Sequence, residues 1–192
     1  MFDGLSVSST NRVTRTFAFI DLSGFTAFTD NQGDDRAVEV LSLFRHAVRT
    51  VASARGVRVA KWLGDGAMLV AVEPETVMEA VVDIERRIDE SGSPLPLRAG
   101  VSTGDVILFE GDDYIGQAVN VAARLCDEAR PHEVLAPESS VSSLLVNIDV
   151  ERLGPREIPG LEEPVSLVSL GARRHRHDGS GVEAGNADAA GV

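Results

Sequence analysis

A chain of 192 residues, 43% hydrophobic and 25% charged, has room for one soluble domain with its own apolar core. Thirty acidic residues against 18 basic ones give a formal net charge of −12, which excludes a basic face for gripping nucleic-acid phosphates or an anionic membrane. No apolar run approaches the roughly 18 residues of a membrane span, and the polar start lacks the apolar core of a signal peptide.

The single cysteine, Cys126, excludes an intramolecular disulfide and a cysteine-based zinc cage, so a reducing cytoplasm is the expected address. Seventeen of the 18 basic residues are arginine, which leaves Lys61 as the only lysine.

Residues 1–14 are polar and 172–192 are rich in Gly, Ala, His and Arg without a hydrophobic period. Both ends are expected to be disordered or loosely attached around a domain of residues 15–171. Arg15–Ile20 is a short apolar run closed by Asp21, the pattern of a buried strand ending in a carboxylate. From Asp34 to about Ala54 the residues Ala37, Leu41, Phe44, Val48 and Val51 recur at helical spacing, with Asp34 and Asp35 suited to the first turn. Val57–Trp62 and Ala67–Val72 flank Leu63-Gly64-Asp65-Gly66, a hairpin signature.

Val77, Val81, Ile84 and Ile88 predict a second helix. Leu97–Val101 and Val106–Phe109 predict strands, Gly116–Ala129 a third helix, and Val134–Ala136 and Val165–Leu170 the last strands. This order predicts an α+β fold, a ferredoxin-like sandwich with helices packed on a mainly antiparallel sheet.

Several short motifs fail on their context. Gly100-Val101-Ser102-Thr103-Gly104 fits the nucleophile elbow of hydrolases, but that elbow turns directly into a helix and here Val106–Phe109 continues as an extended run. The acidic stretch Asp30–Asp35 lacks the glycine and the final glutamate of a calcium loop, having Asp35 and Leu41 at those places. Gly64-Asp65-Gly66 opens a dinucleotide fingerprint whose third glycine is replaced by Leu69. No Walker loop surrounds Lys61.

Two carboxylates survive this sifting. Asp21 ends a strand and Asp65 sits at a hairpin tip. Either alone reads as a turn or cap residue. At the ends of adjacent strands the two can hold hard divalent cations through oxygen ligands. On the third helix, Asn120 and Arg124 lie four residues apart on a face away from Ala118, Val119, Ala122, Leu125 and Cys126. They present an amide and a permanent cation to one phosphoryl group.

These segments resemble the class III nucleotidyl cyclases. Phe17 to Thr26 looks like that family's first metal-binding segment. Lys61-Trp62-Leu63-Gly64-Asp65-Gly66 looks like its K-x-x-G-D hairpin, and Asp113 to Arg124 is similar to its D-x-x-G-x-x-V-N-x-A-x-R stretch. The resemblance spans Arg15 to Leu170.

It implies an adenylyl cyclase converting ATP to 3′,5′-cyclic AMP and pyrophosphate. Asp21 and Asp65 would hold two metal ions, Mg²⁺ or Mn²⁺, with the Leu22 carbonyl as a further ligand. The amides around Phe25 and Thr26 would lie against the β- and γ-phosphates. Lys61 and Asp113 occupy the purine-reading positions and favour ATP; Asn120 would orient the ribose and Arg124 would stabilise charge at the α-phosphate. The resemblance also implies a head-to-tail homodimer with shared sites. A guanylyl cyclase, and an inactive nucleotide-binding or dimerising module, are the alternatives.

One departure concerns Pro159, which stands where many members carry a triphosphate-binding lysine, and makes Arg156 the candidate substitute. The stretch Asp105–Asp112 is also short for the family's dimer-clasping arm.

Overall fold

A computed structural model describes residues 12–109, 113–145 and 147–173. The remainder of the two expected loose ends, and residues 110–112 of the arm, lie outside the described residues. Along the chain run β1 (Arg12–Leu22), α1 (Phe25–Gln32), α2 (Asp34–Arg55), β2 (Arg58–Leu63), β3 (Gly66–Ala71), α3 (Pro74–Glu90) and β4 (Leu97–Phe109). Then follow β5 (Asp113–Ile115), α4 (Gln117–Glu128), β6 (Val134–Pro137), β7 (Ile148–Arg156) and β8 (Val165–Ala172). The strands form one sheet in the order β2-β3-β1-β4-β6-β8-β7, with β5 added to β4. Among the described residues only the β4–β6 pairing is parallel. This is the mainly antiparallel α+β sandwich that the order of periods predicts. Among the described residues no helix is long and apolar enough to cross a membrane.

The two-residue period of β1 builds both faces of the sheet. Ala18, Ile20 and Leu22 pack into a core with Phe44, Val48 and Val51 of α2 and Val77, Val81 and Ile84 of α3. Phe17, one position out of step, packs with Met68, Val106 and Ala118 and Ala122 of α4 on the opposite face. Asp21 continues this second series, so β1 directs its carboxylate to the α4 side of the sheet.

Helix α3 carries Pro74 in its first turn, where the missing N–H is no loss, and buries Val77, Met78, Val81, Ile84 and Ile88 along one stripe. Gly100 on β4 permits the close approach of α4: a β-carbon there would meet the backbone at Ala122, Leu125 and Cys126.

Four local readings are corrected. β1 begins at Arg12, whose pairing partner is Ile107, three residues before the expected domain edge. Leu97–Phe109 is one continuous strand, because the ladder to β1 runs unbroken from Leu97 to Ile107 and holds the polar stretch, with Ser102 buried opposite Phe17 and Thr103 hydrogen-bonded to Thr16 at 2.9 Å. Residues 25–32 form the unforeseen helix α1, separated from α2 by Gly33 at φ 82°. Ile148–Arg156 forms an edge strand whose charged residues and Pro155 mask its period.

Candidate active site

The end of β1 assembles the first half of the site. In the sheet register Asp21 lies between Gly66 of β3 and Arg98 of β4. The Leu22 N–H donates to the Asp65 carbonyl at 3.4 Å, which ties the β2–β3 turn to the strand end and brings the two carboxylates beside each other. Arg98 donates to Asp21 Oδ2 through Nε at 3.0 Å and Nη2 at 2.9 Å, and its Nη1 donates to the Asp127 carbonyl at 2.9 Å.

Burial raises the Asp21 pKa above the ordinary carboxylate value. The Arg98 hydrogen bonds pull it back down, and the neighbouring Asp65 charge pushes it up again. Both Arg98 bonds fall on Oδ2. A side chain at position 66 would crowd Oδ1 and collide with the Ile20 carbonyl, so Gly66 keeps the approach to Oδ1 clear. Two carboxylates and a strand-end carbonyl are hard oxygen donors, and the crowding of Asp21 by Asp65 is relieved by positive charge. The residues therefore fit a divalent cation of the Mg²⁺ or Mn²⁺ kind. Phe25 and Thr26 open α1, whose first N–H groups lack acceptors within the helix, with Gly24 at φ 82° turning the chain into it directly after Asp21.

The second half lies elsewhere. A β-bulge at Ala60 shifts the β2 register so that Lys61 pairs with Met68 while Val59 pairs with Leu69. Ala60 and Lys61 thus share the α4 face, while Trp62 turns to the α2 side, edge-on to Phe44 at 6.3 Å between ring centroids. There Lys61 Nζ forms an ion pair with Asp113 of β5, across 52 residues of sequence, and both side chains are about half exposed (48% and 47%).

Asn120 and Arg124 stand exposed on α4 and line a cleft of about 740 Å³ with Gln117, Ser139, Glu162 and Glu163. Asp21, Gly66 and Arg98 instead line a cavity of about 260 Å³ with Ala123, Cys126 and Asp127. Asn120 and Arg124 thus border one cleft and Asp21 another, on different flanks of α4, and the Lys61–Asp113 pair lines neither.

Arg98 was not anticipated, because a charged residue between Leu97 and Ala99 gains meaning only from its register opposite Asp21. Ser102 of the discarded hydrolase motif is 4% exposed in mid-strand. Among the described residues no cluster of three His, Cys, Asp or Glu side chains stands together as a ready-made metal cage.

The model of the adenylate and guanylate cyclase catalytic domain matches residues 6–170, and the chain belongs to that family. It is 34% identical over 169 residues to the protein Rv2212 of Mycobacterium tuberculosis, covering 88% of this chain and 44% of that one. It is 32% identical over 183 residues to the pH-sensitive adenylate cyclase MT1302 of the same species, covering 92% of this chain and 45% of that protein. The chain thus spans less than half the length of these relatives.

Among solved structures, the adenylyl cyclase CyaB from P. aeruginosa superposes with a TM-score of 0.75 at 22% identity, covering 86% of this chain and 97% of that one. The guanylate cyclase domain of RhGC from Catenaria anguillulae, in complex with GTP, superposes at 0.73 and 19% identity, covering 85% and 100%. At such identities these likenesses carry the fold.

Proposed function

We propose that the domain is an adenylyl cyclase, converting ATP to 3′,5′-cyclic AMP and pyrophosphate in sites shared between two copies of the chain. The observation that carries this reading is the Lys61–Asp113 pair. Adenine offers an acceptor at N1 and a donor at its exocyclic amine, which a lysine and a carboxylate held side by side complement. Guanine offers the reverse pattern at the same two ring positions. Relatives named adenylate cyclases, at 26 to 32% identity, support the same choice.

In this reading the ribose 3′-hydroxyl attacks the α-phosphorus in line and loses its proton, while the bond to the leaving pyrophosphate breaks. Asp21, Asp65 and the Leu22 carbonyl would hold two divalent ions, which when bound supply a lowered hydroxyl pKa and charge neutralisation at the triphosphate. Asn120 orients the ribose and Arg124 meets the charge that develops on the α-phosphoryl oxygens. The first amides of α1, around Phe25 and Thr26, receive the terminal phosphates. Arg156 is the candidate substitute where Pro159 replaces a lysine.

The placement of Asp21 and of Asn120 and Arg124 on different flanks of α4 favours a head-to-tail homodimer, with each site drawing one group from each copy.

Incubation of the purified chain with Mn²⁺ or Mg²⁺ and either ATP or GTP, followed by identification of the product, tests the reading. Cyclic AMP from ATP is expected. Cyclic GMP would reassign the purine, and neither product from folded, dimeric protein would leave a nucleotide-binding or dimerising module.

A further inference from the structure

We infer that the turn Ile158–Gly160 is the seat that orients the Arg124 guanidinium, and that Gly160 is a positioning residue for phosphoryl transfer. The inference rests on the cyclase reading above. Arg124 Nη1 donates to the Pro159 carbonyl at 2.7 Å. Gly160 adopts φ 80°, and a β-carbon there would run into Cζ and both terminal nitrogens of Arg124. The backbone conformation favours glycine, and an added β-carbon would displace the flexible end of Arg124 from its place against the turn.

The turn is itself fixed to the helix that carries Arg124. Ile158 is buried in one apolar cluster with Val121 and Leu125, the α4 residues on either side of Arg124. The Leu161 N–H closes the turn on the Ile158 carbonyl at 3.0 Å.

The seat has work to do because Arg124 is exposed and Glu162 and Glu163 line the same cleft. An unrestrained guanidinium would sample many rotamers and pair with either carboxylate. Held through Nη1, it keeps the rest of its donor fork directed to a phosphoryl oxygen. A residue that offers only its carbonyl, Pro159, thereby serves the reaction at the position where a cation is missing.

The test compares Gly160→Ala with Gly154→Ala. Gly154 has φ 75° with nothing within 4 Å of an added β-carbon, so it carries the backbone strain without touching Arg124. Gly160→Ala is expected to lower kcat about 10²-fold with KM for ATP nearly unchanged, the size of effect that follows from about 1 Å of misplacement. Gly154→Ala should stay within about twofold of the parent, because its added β-carbon meets no atom within 4 Å and leaves Arg124 in place. In an Arg124→Ala background, Gly160→Ala should cost nothing further.

The seat is also read without turnover, from the arginine side-chain ¹⁵N spectrum. The Arg124 resonance, identified by its loss in Arg124→Ala, should show hindered guanidinium rotation in the parent and in Gly154→Ala but not in Gly160→Ala. Equal behaviour of the two alanine variants, an additive loss in the Arg124→Ala background, or a rise in kcat overturns the inference. If Gly160→Ala does not fold, a freely rotating Arg124 in the parent overturns it alone. A folded parent that makes no cyclic nucleotide overturns the cyclase reading instead, and with it the catalytic role of the seat, while the spectra still decide whether the seat exists.

Discussion

Asp21 Oδ2 accepts both the Nε–H and an Nη2–H of Arg98, at 3.0 and 2.9 Å, across the β1–β4 ladder. Even so, burial and Asp65 leave the Asp21 pKa above its ordinary value. The folded state then holds the Asp21 proton more tightly than the unfolded one, so the stabilising contribution is complete at acid pH and is lost as pH rises through the folded pKa. Without metal, Asp21→Asn is expected to gain in Tm relative to the parent as pH goes from about 4, near the unfolded carboxylate value, to 7. Mn²⁺ should raise the parent's Tm and leave that of Asp21→Asn unmoved. Thermal melts at several pH values, with and without Mn²⁺, check this. A constant Tm difference across pH would show that the Arg98 bonds cancel the burial.

Lys61→Glu places a carboxylate beside Asp113 at a half-exposed position. The cost to folding is small, because water screens exposed charges. The cost to adenine recognition is one charged hydrogen bond lost and one repulsion gained. The kcat/KM for ATP is expected to fall about 10²-fold or more, with Tm within a few degrees of the parent. Steady-state kinetics beside a melting curve separates the two. A comparable collapse in Tm would mean that the pair is a structural clamp between β2 and β5.

Asp21→Ala and Asn120→Ala should each abolish activity as homodimers, for they remove residues from opposite halves of the proposed site. Mixed together, they form heterodimers in which one site has lost both groups and the other is intact. Activity is expected to return toward about a quarter of the parent's, given random pairing in which half the dimers are mixed and carry one site of two. Titrating one variant into the other, with heterodimers confirmed by two different tags, gives the answer. No recovery from proven heterodimers would place the whole reaction within one chain.

Most of these residues were legible in the sequence because local rules fix them. The strand closed by Asp21, the Gly64-Asp65-Gly66 hairpin, and the i, i+4 spacing of Asn120 and Arg124 follow from periods of two and 3.6 and from turn chemistry. Arg98 was hidden because strand register is a tertiary property: only the pairing of Asp21 with Arg98 turns an arginine in an apolar strand into a partner of the carboxylate. The bulge at Ala60 was equally hidden. It alone decides that Lys61 rather than Trp62 faces Asp113. The edge strand β7 and the short helix α1 were missed since their apolar residues are few and their charged neighbours read as loop. The turn at Pro159 announced a missing cation, but not that its carbonyl would be used by Arg124.

Gly100 tests how tightly the site depends on packing. It lies on β4 under α4, and a β-carbon there would overlap the Ala122 carbonyl, the Cys126 nitrogen and the Leu125 carbonyl carbon, all backbone atoms unable to swing aside. Its conformation is not left-handed, so Gly100→Ala would meet no dihedral strain and its whole effect comes from pushing α4 off the sheet. Overpacking of this kind costs about 3 kcal/mol. The expected fall in Tm is roughly 6–12 °C for a domain of this size. Because α4 carries Asn120 and Arg124 and its Asp127 carbonyl receives Arg98, displacement of the helix disturbs both halves of the site together. Calorimetry and a product assay on Gly100→Ala should therefore show activity lost well below the melting transition. Normal activity up to that transition would mean that α4 can shift without consequence for the residues it presents.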